Sequence, residues 1–160
     1  MDRHMKFTIR EAAPSDVDVI VEFNELLALE TEKKQLDRTT LRKGVERVLS
    51  AKAHGVYYVA VSGDIIVGQL LITHEWSDWR NGEFWWIQSV YVRDDWRGKR
   101  VYSSLHDHVV SLARADRTVC GVRLYVEEEN ARARATYEKL GMMKTPYVLY
   151  EIDFTTEGRL

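Results

Sequence analysis

The chain has 160 residues, 45% of them apolar and 30% charged, with a net charge of −2, and this balance is typical of one soluble globular domain over residues 1–160. The slightly acidic charge argues against bulk electrostatic binding of nucleic acid, and a single cysteine, Cys120, excludes an internal disulfide and a cysteine-based metal site. No apolar run approaches the roughly 18 residues of a membrane helix, and the first residues do not resemble a signal peptide. We therefore expect a cytoplasmic protein without a membrane or nucleic-acid partner.

The first part of the chain predicts one strand followed by two helices. We expect residues 1–5 to fray. Alternating apolar and polar residues predict a half-buried strand over Lys6–Glu11. A helix then begins with Ser15 as its N-cap, and after a polar stretch Thr39 or Thr40 caps a second helix.

The middle of the chain changes to the alternation that is typical of strands. Val56–Val61 and Ile65–Thr73 each predict a strand, and the short glycine-containing link between them predicts a hairpin. A second hairpin is predicted at Asn81 and Gly82, because this dipeptide is a strong turn signal. The strand that follows, Glu83–Arg93, is rich in aromatic and β-branched residues.

The last part of the chain alternates helices and strands. A helix follows the long strand, and then come a strand over Val122–Val126, a helix over Asn130–Leu140 and a final strand over Met143–Phe154. Antiparallel hairpins followed by β–α–β–α–β predict an α/β (α+β) architecture, in which helices cover a mixed sheet.

A basic turn joins the long strand to the helix after it. It contains Arg97, Gly98, Lys99 and Arg100. The first turn of a helix has N–H groups without helical partners and carries partial positive charge, so a basic, glycine-containing turn at this point favours phosphate. The alternative is a surface turn that is basic by chance, since a short motif is only a hypothesis.

A second segment supports the phosphate interpretation. Asn130, Ala133, Tyr137 and Gly141 follow one another at spacings that lie near one face of a helix. Two such segments in this order, within this succession of strands and helices, are much more specific than either segment alone.

Together the two segments resemble the signatures of the GNAT superfamily of acetyl-coenzyme A-dependent N-acetyltransferases. Arg97–Lys99 and Val101 match the first signature, whereas Arg100 stands where the family usually has Gly, and Tyr102 where it has Gly or Ala. The resemblance implies the GNAT fold, with a mixed central sheet of about six to seven strands flanked by about four helices.

The resemblance also implies acetyl-coenzyme A as the cosubstrate. In the family the basic turn holds the diphosphate, the end of the long strand pairs with the pantetheine arm, and a backbone N–H on that strand faces the developing oxyanion. The five histidines show no metal-ligand spacing, so we expect no metal. The cofactor-binding residues implied are Val90, Tyr91, Val92, Arg97, Gly98, Lys99, Arg100, Val101, Tyr102, Asn130, Ala133 and Tyr137.

Two side chains, Tyr137 and Gln88, are the candidates for catalysis. Tyr137 matches the family's general acid, which protonates the leaving thiolate, with core packing as the alternative. Asn130 resembles a ligand of the pantetheine amide; the alternative is the N-cap of its own helix, and both roles can hold. Gln88 stands where many members have Glu; it can orient a water or the amine, but it cannot take a proton. A base then has to come from a water chain or from Glu83, Glu75, Asp78 or His74.

The expected reaction transfers the acetyl group to a primary amine of a small molecule by direct attack in a ternary complex. Glu30 and Trp76 join Gln88 as candidate acceptor-binding residues, because an acidic run on the first helix and nearby aromatics suit a cation. Solvated surface charge and core or dimer packing are the alternatives for these side chains. A homodimer is common in the family. The competing functions are a catalytically weak acetyl-coenzyme A sensor and an acetyltransferase acting on protein N-termini or lysines.

Overall fold

The computed structural model describes residues 6–155 of the chain. They form two compact units, one that ends at Tyr125 and one that begins at Val126. The single domain predicted over residues 1–160 stays a prediction, and the expectation for residues 1–5 lies outside the described residues.

The first unit is a mixed sheet with helices packed on it. Strands β1 to β4 are antiparallel neighbours in chain order, and β5 is parallel to β4, which confirms the predicted mixed α/β architecture. The described residues form five strands and not six to seven. The strands are Thr8–Glu11 (β1), Val56–Ser62 (β2), Ile65–Ser77 (β3), Gly82–Val92 (β4) and Val119–Arg123 (β5), and the helices of this unit are Val17–Glu32 (α1), Arg38–Ser50 (α2) and Val101–Ala115 (α3).

Neither of the first two helices has the predicted hydroxyl cap. Asp16 rather than Ser15 is the residue from which α1 begins; its side chain makes no cap bond to α1 and instead accepts from the N–H of Ala13 at 2.7 Å, in the short helical turn before α1. Asp37 accepts from the N–H of Thr40 at 2.7 Å and caps α2, so neither predicted threonine does. At α2, the negative charge of Asp37 also lies next to the positive end of the helix dipole, which stabilises the start of the helix.

Each face of the sheet has its own core. On one face α3 buries Val101, Leu105 and Val109 against β2, β3 and β4. On the other face α1 and α2 cover the same strands and bury Tyr57 and Tyr91. The end of β4 is thus packed between α1 on one face of the sheet and α3 on the other, and burial of apolar surface stabilises both layers.

The second unit contains the helix α4, Ala131–Lys139. The strand predicted over Met143–Phe154 is wrong, because these residues pair with no strand in the described chain. An alternating pattern becomes a strand only where a neighbour satisfies its backbone groups, and Pro146 also removes one donor near the start. The large apolar residues of this stretch are exposed: Met143, Tyr147, Val148, Leu149, Tyr150, Ile152 and Phe154.

Candidate active site

Strand β4 is paired along its whole length on one edge but along only part of the other. Its antiparallel ladder with β3 extends from Gly82 to Val92, whereas its parallel ladder with β5 is limited to Glu83–Trp86. Within residues 6–155, the second edge of the strand beyond Trp86 therefore has no strand partner, and an extended ligand can pair with it. The predicted pantetheine-contacting residues Val90, Tyr91 and Val92 lie on this stretch.

A β-bulge interrupts the same stretch of β4. The β3–β4 ladder changes register between Gln69 and Leu71, and two residues of β4, Ser89 and Val90, lie opposite a single residue of β3. Ser89 has a φ of 49°, a left-handed conformation that costs a residue with a Cβ about 1 kcal/mol. A bulge turns backbone groups out of the ladder, so this is where a β4 N–H can face a bound carbonyl.

The basic turn has the backbone shape of an anion site. Gly98 and Arg100 have φ of 73° and 64°, and Arg100 is also the residue from which α3 begins. No backbone carbonyl of the described residues accepts from the N–H of either one. Arg100, which stands where the signature that this turn resembles usually has glycine, has the left-handed conformation that glycine adopts without strain.

The cationic side chains of the turn are largely engaged by the protein itself. Arg97 contacts Glu30 of α1 at 2.8 Å and Asp94 at 2.5 Å. Lys99 Nζ donates to the carbonyl oxygen of Asp95 at 2.6 Å. The attraction of the turn for an anion thus rests on its backbone N–H groups, the start of α3 and the Arg100 side chain.

Gln88 is held next to the bulge. It immediately precedes Ser89, and its Nε2 donates to Thr73 Oγ1 at 2.7 Å. With Nε2 in this bond, Oε1 is the atom with which Gln88 can accept from an amine or a water.

The predicted alternatives for the base lie away from the bulge, and each has a partner. Glu75 forms an ion pair with Arg123 at 2.8 Å. His74 Nδ1 lies 3.3 Å from the Glu83 carboxylate. Asp78 accepts from the N–H of the next residue at 2.9 Å. These contacts are near the hairpin between β3 and β4, at the other end of β4 from the bulge.

The structure does not bring the two other candidate acceptor-binding residues together. Trp76 is 60% exposed and pairs with Glu83; the six residues from there to Ser89 correspond to about 20 Å along a strand. Glu30 lies near the basic turn instead, in its ion pair with Arg97.

The second unit carries the other signature residues on and next to α4. The Asn130 Oδ1 accepts from the N–H of Ala133 at 3.1 Å, so Asn130 does cap the helix. Burial raises the pKa of the Tyr137 phenol above its ordinary value, and this side chain therefore stays protonated at neutral pH. Their roles toward the cofactor and in catalysis stay predictions.

Two buried polar side chains at the bulge are absent from the predicted site. Gln69 donates from Nε2 to the carbonyl oxygen of Ser89 at 3.1 Å. Burial raises the pKa of the Tyr57 phenol, and Tyr57 lies close enough to Ser89 for the Ser89 side chain to lower that pKa again in part. One signal in the sequence marks Gln69: it is a polar residue inside the apolar strand segment Ile65–Ile72, and a fully buried glutamine is rare.

The described residues contain neither a group of metal ligands nor a helix that could span a membrane. No group of three or more His, Cys, Asp or Glu side chains is placed to share a metal ion in residues 6–155. Across the same residues, no helix has both the length and the hydropathy that crossing a membrane requires.

Comparison with known proteins adds independent information. A family model described as "Acetyltransferase (GNAT) family" matches residues 21–142. A crystal structure of "a possible acetyltransferase" from Clostridium difficile 630 is 46% identical over 92% of this chain and 97% of its own, with a TM-score of 0.87. No curated protein sequence gives a significant match.

Two more distant structures share the fold. A "predicted acetyltransferase" from Clostridium acetobutylicum, solved with acetyl-CoA, is 18% identical, and the match covers 94% of this chain and 97% of that one with a TM-score of 0.76. A ribosomal-protein-alanine N-acetyltransferase from Brucella melitensis biovar Abortus 2308 is also 18% identical, with coverage of 93% and 99% and a TM-score of 0.75.

Proposed function

The chain belongs to the acetyltransferase (GNAT) family, and from this premise we propose that it transfers an acetyl group from acetyl-coenzyme A to a primary amine of a small molecule, by direct attack in a ternary complex. The proposal rests on three features that follow one another along the chain: the unpaired edge of β4, the bulge in β4 and the turn with left-handed residues after it. An extended arm that leads to a diphosphate fits this arrangement.

The residues fit acetyl-coenzyme A, which when bound supplies an acyl group activated as a thioester. The N–H groups of the turn from Arg97 to Tyr102 would hold the diphosphate, with the Arg100 side chain beside them. The unpaired edge at Val90–Val92 would pair with the pantetheine arm. Support comes from the left-handed φ values at Gly98 and Arg100 and from the limited ladder between β4 and β5.

Two groups of the chain would stabilise or neutralise the negative charge that develops during acetyl transfer. A backbone N–H at the bulge would face the carbonyl oxygen, and preorganised donors of this kind are worth about 3 kcal/mol each in transition-state stabilisation. Tyr137 would donate its proton to the leaving thiolate. The phenol holds its proton at neutral pH, since its ordinary pKa is about 10 and burial raises it further, so the proton is available to the thiolate.

The amine has to lose a proton before it attacks, and we propose that water receives it. Gln88 would orient the amine or that water through Oε1, since its Nε2 is committed to Thr73. The carboxylates and the histidine near the β3–β4 hairpin are too far along the strand to act directly.

We further propose a small-molecule acceptor in the cytoplasm and a homodimeric assembly. The half-buried positions of Gln88 and Ser89 support the first point, because an amine has to reach below the surface to meet the bulge. Cytoplasm and dimer are proposed from what is common in the family.

The test is release of free thiol from acetyl-coenzyme A with polyamines, amino acids, aminoglycosides and short peptides as acceptors. Release that depends on one class of small amine is the expected result. Release with peptides alone would favour a protein acetyltransferase. Tight binding of the cofactor without release from any amine would favour the sensor function, for which Gln88 in place of a carboxylate is the supporting observation.

A further inference from the structure

A fully buried glutamine lies directly beneath the β4 bulge. Gln69, in the middle of β3, is 0% exposed. Its Nε2 donates to the carbonyl oxygen of Ser89 at 3.1 Å, and its Oε1 has no donor among the described residues. A buried acceptor without a partner destabilises a fold, so packing alone does not explain a glutamine at this position.

A second side chain lies at the bulge residue. Burial raises the pKa of the Tyr57 phenol, and Tyr57, on β2, lies close enough to Ser89 for the Ser89 side chain to lower that pKa again in part. The Tyr57 hydroxyl in turn accepts from Asn24 Nδ2 of α1 at 3.2 Å. Both Tyr57 and Asn24 are buried. Side chains from β3 and β2, the second backed by α1, thus converge on one residue of β4.

Ser89 needs these contacts because its conformation is unfavourable. A φ of 49° is left-handed, and serine has no glycine-like freedom to adopt it. Such a conformation persists only where the surroundings over-determine it, and it is concentrated at functional sites. Without the bond from Gln69, the Ser89 peptide group can rotate toward an ordinary strand conformation, and the N–H groups of the bulge then change direction.

We propose that Gln69 is a positioning residue: by holding the Ser89 carbonyl it fixes the bulge, and the bulge aims the backbone N–H at the thioester carbonyl oxygen. This inference rests on the proposed acetyl transfer. It assigns to Gln69 no contact with either substrate, so its effect is on the rate of transfer and not on the binding of the cofactor.

The first test is Gln69→Met, which keeps the volume of the side chain and removes both polar atoms. We expect coenzyme A affinity and the KM for the amine to stay within about twofold of wild type, and kcat to fall by about tenfold or more. A kcat within about twofold of wild type in the folded variant overturns the proposal. Ile72→Val, a small change at a buried position of the same strand, controls for a general loss of packing.

The second test is Gln69→Glu, which lacks the donor when it is ionised and regains it when it is protonated. We expect the rate of this variant relative to wild type to rise towards one as the pH falls, or to be near one throughout if burial keeps the carboxyl neutral, because a neutral carboxyl can again donate to Ser89. A ratio that is low and does not rise as the pH falls overturns the proposal.

A crystal structure of Gln69→Met gives an answer that does not depend on turnover. If the wild-type protein releases no thiol with any amine, the proposed function fails, but the conformation of Ser89 still tests the role of Gln69. Loss of the left-handed φ or of the register shift in the variant supports the proposal. A bulge identical to that of the wild type overturns it.

Discussion

The Arg97 guanidinium donates to the Glu30 carboxylate at 2.8 Å and ties the end of α1 to the turn that precedes α3. Arg97 also donates from Nε to the carbonyl oxygen of Val92 at 3.0 Å, and it lies over the ring of Tyr91. The arginine that opens the phosphate signature thus joins α1 to the end of β4 within the protein, and a phosphate has to compete with Glu30 for it.

Replacement of Glu30 by glutamine therefore strengthens coenzyme A binding. Arg97 loses one of its two carboxylate partners, and a charge-assisted bond to phosphate becomes easier to form, so we expect Kd to fall by about three- to tenfold in calorimetry. Stability changes by less than about 1 kcal/mol, because both side chains are more than a third exposed. Glu32→Gln, at the exposed end of the same helix, is the control and leaves Kd unchanged. Weaker binding by Glu30→Gln would contradict the competition.

Replacement of Gly98 by alanine separates backbone conformation from steric contact. A Cβ at Gly98 meets no atom within 4 Å, and its φ is +73°, so the expected loss of about 1 kcal/mol in unfolding free energy is conformational. Gly63→Ala is a matched control, with a φ of +58° and equally open space. Denaturant titrations are expected to give similar losses for both variants, whereas only Gly98→Ala weakens coenzyme A binding. Equal cofactor affinity in the two variants would show that the basic turn does not bind the cofactor.

Replacement of Tyr137 by phenylalanine tests the general acid. Loss of proton donation to the thiolate is expected to lower kcat by about a hundredfold, with coenzyme A affinity preserved because the ring remains. Tyr147→Phe changes the same hydroxyl at a position that is 75% exposed, and it retains full activity. Steady-state thiol release measures both variants. Normal turnover in Tyr137→Phe would leave the leaving thiolate without an assigned proton donor.

Stability is expected to fall at alkaline pH. Burial raises the pKa of Tyr57 above its ordinary value of about 10, so the folded state retains a proton that the unfolded chain releases. The stabilisation is complete below pH of about 10 and is lost as the pH rises toward the folded-state pKa. Chemical denaturation at increasing pH is expected to show a smaller alkaline loss for Tyr57→Phe than for the wild type. The same slope in both proteins would show that other buried tyrosines dominate the effect.

The sequence is sufficient to predict the parts of this fold that depend on local signals. The alternation of β3 and β4, the Asn81-Gly82 hairpin and the basic turn before α3 are read from adjacent residues, and the structure has all of them. Helix caps were less predictable because neighbouring serine, threonine and aspartate compete for one role. Tertiary contacts decide that competition: Arg10 also holds the Asp16 carboxylate, at 2.7 Å.

The features that depend on several strands could not be predicted. The sequence around Ser89 does not indicate a left-handed residue, because the groups that contact Ser89, such as Gln69, lie on other strands. Nor does the alternation over Met143–Phe154 reveal that it lacks a strand partner in the described chain. The apolar run around Gln69 is the exception, because a lone amide there is visible in the sequence and has a role in the structure.

Because its ladder with β5 is short, β4 is in part an edge strand, although it lies inside the sheet. Its amides beyond Trp86 that point away from β3 are not protected by sheet hydrogen bonds, although strands lie on both sides of β4 in the sheet order. In deuterium exchange these amides should be labelled much faster than those that face β3. A cosubstrate that pairs with these amides, as we propose, would slow the labelling, because it would take the place of the missing neighbouring strand.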